Sequence, residues 1–226
     1  MKVTRITTGS VICSLFLIMI SLTSNSQDLK DFDGNIYKTA KLGVQVWTAS
    51  NLNVSHFRNG DSIPEAKTPE EWANAGKNGT PAWCYYDNDP INGEKYGKLY
   101  NWYAINDSRG LAPDGWHIPA NTDWTTLVKN LQGVDIAGIK LKSGSDWKHR
   151  KGTNKIGFTA IPGGCRESDG KFRDLGMIGS WWSNSVPVDV KPSDKIISFV
   201  LSDNTGQVKY LRSEKGAGLS VRCEKD

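Results

Sequence analysis

Hydrophobic and polar positions divide the chain into a helix-rich first part and a strand-rich second part. The stretch "DFDGNIYKTAKLGVQVWTASNLNV" sets Ile36, Leu42, Val44 and Val46 at a partial period of two, with turn residues at Asp33-Gly34 and Gly43. That alternation predicts a hairpin. "TPEEWANAG" predicts a short helix: Thr68 caps it, Pro69 takes the first helical position, Glu71 completes a capping box and Gly76 ends it. In "KLYNWYAI", residues 98–105, Leu99, Trp102 and Tyr103 share one face at helical spacing. "TDWTTLVKNLQG" gives a second long helix, striped by Trp124, Leu127, Val128 and Leu131 and closed by Gly133. "VDIAGIKLKSG" adds a short third, weakened by Gly138. From Trp147 onward the runs are short and β-like: "IGFTAIPGG", "GSWWSNS", "KIISFVLSD", "GQVKYLRSE" and "GLSVRCE", with "DNTGQ" as a hairpin turn. The pattern predicts an α+β fold with no internal repeat and no linker.

The first residues read differently. Lys2 and Arg5 precede an apolar run at 11–21, and Ser24 and Ser26 stand at the third and first places before Gln27. This predicts a secretory signal peptide over 1–26, too short to span a membrane, followed by one domain over 27–226. Cys13 lies inside the apolar run behind Ile12, where a lipoprotein signal needs a small residue, which disfavours a lipid anchor. Cleavage lowers the net charge from +4 to +2, so neither a nucleic acid nor an anionic membrane is an expected partner. The expected destination is periplasm, cell surface or medium.

An exported chain meets an oxidising compartment. Of Cys84, Cys165 and Cys223, two are expected to pair and one to remain a thiol, with spacing leaving the pairing open. The histidines, His56, His117 and His149, adjoin no cysteine, and neither C-x-x-C nor H-x-x-x-H spacing offers a zinc site. Nine tryptophans point first to core.

Three stretches carry candidate chemistry. In "GLAPDGWHIPANTDW", residues 110–124, Pro113-Asp114-Gly115 makes a tight turn and Trp116 and Trp124 are expected to pin two helices together. His117 is a candidate ligand-binding residue or general base, without a Ser or Cys visibly paired to it. The acidic loop of Asp87, Asp89 and Glu94 suits calcium by its hard oxygens, although Ile91 and Asn92 break EF-hand spacing. In "WWSNS", Trp181 and Trp182 alternate across a strand, so one is expected in the core and the other as a platform for a sugar ring, with Asn184 beside it.

Taken in order, "WCYYDNDPINGEKYGKLYNWYAIND", "GLAPDGWHIPANTDWTTL", "GFTAIPGG", "GSWWSNS" and "GLSVRCEKD" resemble the Fibrobacter succinogenes major paralogous domain of exported proteins in Bacteroidetes and Fibrobacteres. The resemblance runs from about Asp31 to Asp226. More distantly the order is similar to the formylglycine-generating-enzyme branch of C-type lectin-like folds. It implies two main helices packed on small antiparallel sheets with long loops. It also implies a Cys84–Cys223 disulfide with Cys165 free. The chain departs from the family at Ala120 and Asp123, where a hydroxyl residue and Glu usually cap the second long helix. That helix start is expected to be weaker by about 1 kcal/mol, with Asn121 as a substitute cap. Ala112 stands where relatives often carry Cys. The cysteine pair of the formylglycine-generating enzyme has no counterpart, so its copper chemistry is not implied. Nor do the Glu-Pro-Asn, Gln-Pro-Asp or Trp-Asn-Asp motifs of sugar-binding lectins occur. The expected function is an exported, non-catalytic binding or adhesion module for polysaccharide or a surface protein. The alternatives are a secreted hydrolase using loop carboxylates or His117, and a structural surface protein. No organic cofactor is expected, and calcium is the candidate ion.

Overall fold

Backbone turns form where the glycines demand them. The computed structural model describes residues 29–187 and 195–226; the expected signal peptide lies outside the described residues. Strands β1 (Leu29–Lys30) and β2 (Ile36–Tyr37) pair around the Asp33-Gly34 turn, and β3 (Thr39–Leu42) and β4 (Gln45–Thr48) pair around Gly43, whose φ is +62°. The hairpin therefore forms, but on the opposite face from the alternating aliphatics. Ile36 and Val44 are exposed, Leu42 and Val46 half-buried, whereas Tyr37, Ala40, Gln45 and Trp47 are buried. Trp47 sets this register: its ring meets Trp124 at 4.7 Å, and shifting the strand by one residue would expel it.

Helix α1 (Pro69–Asn78) carries the full capping box of Thr68 and Glu71. It runs through Gly76 and ends at Gly79, which adopts the left-handed conformation. Gly76 serves a different purpose, since a Cβ there would lie 3.1 Å from the Gly216 Cα. Beyond β5 (Trp83–Cys84) and α2 (Pro90–Tyr96), the "KLYNWYAI" segment splits in two. Its first half is β6 (Leu99–Tyr100), paired with β5, and only α3 (Trp102–Ile105) is helical. Leu99 and Tyr100 are both buried, which one helical stripe cannot achieve for neighbouring residues. The side-chain oxygen of Asn101 accepts from the Ala104 and Ala82 N–H groups and so starts the helix.

After β7 (Trp116–His117), helix α4 (Asn121–Asn130) buries Trp124, Leu127 and Val128, with Leu131 at its end, as the stripe predicts. Gly133, at φ +96°, donates to the Val128 carbonyl and leads into α5 (Val134–Leu141). At the α4 start the Asp123 carboxylate accepts the Ala120 N–H at 2.8 Å, but Ala120 offers nothing in return. Asn121 does not substitute; its own N–H donates to Ser185 Oγ.

Strands β8 (Gly163–Arg166), β9 (Phe172–Leu175), β10 (Ile178–Trp182), β11 (Lys195–Ser202) and β12 (Val208–Glu214) form a sheet in the order β12-β11-β10-β8-β9. All its pairs are antiparallel except β10 with β8. Strand β13 (Glu224–Lys225) inserts between β4 and β7, so a second sheet, β3-β4-β13-β7, joins the two ends of the described chain. Strands thus also occur in the first half. The architecture is mixed helix and small sheets, compatible with α+β. Among the described residues no helix is long and apolar enough to cross a membrane.

Strand β10 separates two aromatic clusters. Trp182 enters the one holding Trp83, Tyr100 and Trp116; Trp181 enters the one holding Trp47, Trp124, Trp147 and Phe199. Trp116 and Trp124 therefore belong to different clusters rather than clamping one helix pair. Trp124 instead stacks on Phe199, with centroids 4.2 Å apart and planes 15° off parallel. The expected Cys84–Cys223 disulfide is not formed. All three described cysteines are free thiols, with Cys84 packed beside Trp72 and Tyr86 and Cys223 in the separate Trp182 cluster.

Candidate functional site

The side chains expected to form a site do not meet one another. Trp181 and Trp182 do point to opposite faces of β10, but both faces are covered and both rings are wholly buried. Their indole N–H groups are spent internally, on Asn51 Oδ1 and the Tyr100 carbonyl. Neither offers a face to a sugar. Asn184 is exposed, and its backbone N–H is held by the Pro119 carbonyl.

The acidic loop also resolves into local structure. Asp89 caps α2 by accepting the Ile91 N–H at 2.9 Å. Asp87 is exposed with left-handed backbone, and Glu94 is exposed on α2. These carboxylates do not converge as a calcium site would require. Among the described residues, the metal-ligating side chains that do converge are His117, Asp123 and Glu224, whose ligand atoms all lie within 4.8 Å of one another.

That convergence is built by the second sheet. Glu224 sits directly across from His117 in the β13–β7 pairing. His117 Nδ1 lies 2.8 Å from Asp226 Oδ1, and its Nε2 lies 3.5 Å from Asp123 Oδ2 in the first turn of α4. Gln45 on β4 donates from Nε2 to Glu224 Oε2 and to the Asp123 carbonyl. Burial pushes the Glu224 carboxyl above its ordinary value; the Asp123 charge adds to this, while Gln45 and His117 partly offset it.

A separate cavity of about 200 Å³ opens beside the Pro113-Asp114-Gly115 turn. One wall is the turn itself, from Leu111 to Asp114; the other is the Asp31–Gly34 turn together with His56 and Arg58. This second turn projects Phe32 outward at 58 % exposure, with its ring against His56 at 5.5 Å between centroids. Asp33 anchors His56 through Nδ1 at 2.5 Å and accepts the Ser55 N–H. Burial alone would raise the Asp33 carboxyl; those two bonds and the His56 charge bring it below its ordinary value. Arg58 donates to the Ala112 carbonyl at 3.0 Å and pairs with Asp114 at 3.2 Å. An exposed aromatic ring therefore stands beside a guanidinium, an imidazole and a carboxylate around one ring-sized space.

A family model described as the Fibrobacter succinogenes major domain matches residues 40–225. The chain belongs to this family. No curated protein and no solved structure matches it. Within this Fibrobacter succinogenes major domain, His117, Asp123 and Glu224 all fall in the matched span, whereas Phe32 and Asp226 lie just outside it.

The sequence reading singled out His117 but not its partners. Asp123 is visible as a capping residue, yet Glu224 is 107 positions from His117 and reaches it only through strand pairing. The "DFDG" stretch reads correctly as a turn. What that reading misses is that the turn presents Phe32, because nothing local distinguishes an outward aromatic from an inward one.

Proposed function

We propose that this domain is an exported, non-catalytic binding module, and that the cavity between the Asp31–Gly34 and Pro113–Gly115 turns takes a sugar ring of a polysaccharide. The observation that carries the reading is the exposed Phe32 ring standing over a cavity of about 200 Å³ edged by His56, Arg58 and Asp114. Sugar rings present apolar C–H faces that stack on aromatic rings, while their hydroxyls pair with charged and polar groups at the edge. His117, the sequence's best candidate for a general base, contacts the carboxylates of Asp123 and Asp226 rather than a nucleophile, which favours binding over hydrolysis. The C-type lectin-like relationship belongs to this proposal. It is supported by the two long helices, the small sheets and the long loops.

A glycan array followed by calorimetry on the best hit tests the reading. Phe32→Ala and Arg58→Ala should each weaken binding at least tenfold, while Lys77→Ala, in the groove beside α1, should leave it unchanged. Absence of binding to every glycan, or retained affinity in Phe32→Ala, overturns it.

A further inference from the structure

The geometry points to a divalent-cation site of the zinc class at His117, Asp123 and Glu224, with Asp226 and Gln45 orienting the ligands. Three separate elements deliver the set: β7 brings His117, α4 brings Asp123 and β13 brings Glu224. Their ligating atoms lie within 4.8 Å of one another; tetrahedral ligands about 2.0–2.2 Å from one ion stand about 3.3–3.6 Å apart, so side-chain rotations that draw them together by about 1 Å would seat the ion.

The state of His117 follows from its neighbours. Asp226 Oδ1 sits 2.8 Å from Nδ1, where it accepts that N–H. In the neutral ring this leaves Nε2 as a bare lone pair turned toward the Asp123 carboxylate, 3.5 Å away. A carboxylate behind one imidazole nitrogen is how metal-binding histidines are held in tautomer and orientation. Lone pairs of one nitrogen and two carboxylates facing a common point repel unless a proton or a metal cation joins them, and a metal ion engages all three at once. The partial positive charge at the α4 N-terminus, about half an elementary charge, offsets only a fraction of three carboxylates.

Gln45 supplies an independent pointer. Its side chain is 5 % exposed, its amide head is aimed at Glu224, and its Oε1 has no hydrogen-bond partner. Amide oxygen and nitrogen are nearly interchangeable in shape. As placed, the nitrogen braces Glu224 and the Asp123 carbonyl at this convergence; turned over, the amide would give up both of those bonds, an exchange that only a bound cation makes favourable. The imidazole selects the ion: calcium takes oxygen ligands, whereas zinc and its first-row neighbours take imidazole with carboxylate. His117 is partly exposed, with its side chain 41 % accessible, so an ion has a route in and solvent can complete the coordination.

Calorimetry of the full chain, stripped with chelator and titrated with zinc chloride, tests the site. One zinc per chain should bind and raise the thermal midpoint. His117→Ala and Glu224→Gln should each weaken binding at least a hundredfold. Asp226→Asn, acting through the imidazole, should weaken it by about 10–100-fold. His149→Ala, paired elsewhere with Asp203, should bind as the unaltered chain does. Nitrogen-15 spectra of the unaltered chain give a readout that needs no variant: zinc should shift the His117 Nε2 resonance and spare that of His149. Failure to bind zinc, binding of calcium in its place, an unmoved His117 resonance, or undiminished affinity in both His117→Ala and Glu224→Gln overturns the assignment.

Discussion

Arg222 donates through Nε to Asn51 Oδ1 at 2.7 Å, joining positions 171 residues apart. The same guanidinium donates to the carbonyls of Thr48, Phe158 and Thr159, and its Cζ lies 4.5 Å from the centre of the Phe158 ring. Asn51 accepts also from Trp181 and donates to the Tyr96 carbonyl and Ser220 Oγ. A wholly buried cation thus acts as the staple between the β4 region, the loop before β8 and the C-terminal segment.

Replacing that cation should be severe. Arg222→Met keeps much of the volume but removes the donor from the Thr48, Phe158 and Thr159 carbonyls, leaving Asn51 Oδ1 with Trp181 alone. At about 1–3 kcal/mol for each buried polar group left unsatisfied, a loss of about 3 kcal/mol or more is expected. Equilibrium urea unfolding of the two chains reads it. Burial also lowers the Arg222 guanidinium to about 9. Above that pH the unfolded chain holds the proton more tightly than the folded one, so this group's contribution to stability rises with pH until the unfolded guanidinium titrates. The destabilisation by Arg222→Met, compared at pH 7 and pH 10, should therefore be larger at pH 10; equal or smaller destabilisation contradicts this account.

The free thiols give a pH dependence of the opposite sign. Burial pushes Cys84 and Cys223 up to about 12 and Cys165 up to about 11, from 9.0. The folded chain keeps protons that the unfolded chain releases, so these groups contribute stability below pH 9 that is lost as pH rises toward their folded values. The stability lost between pH 8 and pH 10.5 should be smaller in Cys223→Ala than in the unaltered chain. In the native state at pH 8, alkylation mapped by mass spectrometry should leave Cys84 and Cys223 unlabelled until denaturant is added. A Cys84–Cys223 cross-link in that map would contradict the fold described here.

The α4 N-terminus has half of a capping box. Ala120 already has extended backbone, at φ −78° and ψ 170°, and its N–H is held by Asp123. Ala120→Thr supplies the missing acceptor and should stabilise the domain by about 1 kcal/mol. For a chain of this size that is a rise of about 2–4 °C in the melting midpoint, measured by calorimetry. No rise would mean that Ser185 already meets the need of this helix end.

Gly138 should behave contrary to helix propensity. In an open helix interior, Gly→Ala stabilises by about 1 kcal/mol. Here a Cβ would lie 2.5 Å from the Gly206 carbonyl oxygen and 3.1 Å from a methyl of Leu201. Gly138→Ala should therefore lower the urea midpoint, because α5 must move away from the β11–β12 turn. An increase would show that this helix has room to shift.

Much of the local structure is legible in order and spacing. The α1 capping box, the α4 stripe and the Gly43 turn each rest on residues within one or two turns of chain, where sterics and hydrogen bonding act without help. The errors have one origin. Val44 looks inward by alternation but is 92 % exposed, because it falls in the Gly43 turn between β3 and β4, while Trp47 takes the core face of β4. Leu99 looks helical but pairs as strand, because β5 offers it a partner. Trp181 and Trp182 look like a core-and-surface pair, yet helices and sheets cover both sides of β10.

By itself the sequence determined the class of fold, the family resemblance, the principal helices and turns, and the interest of His117, since these depend on short-range geometry and on side-chain chemistry. Only the tertiary structure decided which cysteines stay apart, which face of each strand is covered and which carboxylates surround His117. Those outcomes depend on pairing between residues more than a hundred positions apart, such as Glu224 with His117. The free energy of burying one aromatic ring at such a contact exceeds any local preference for alternation or helix, so the distant contact prevails.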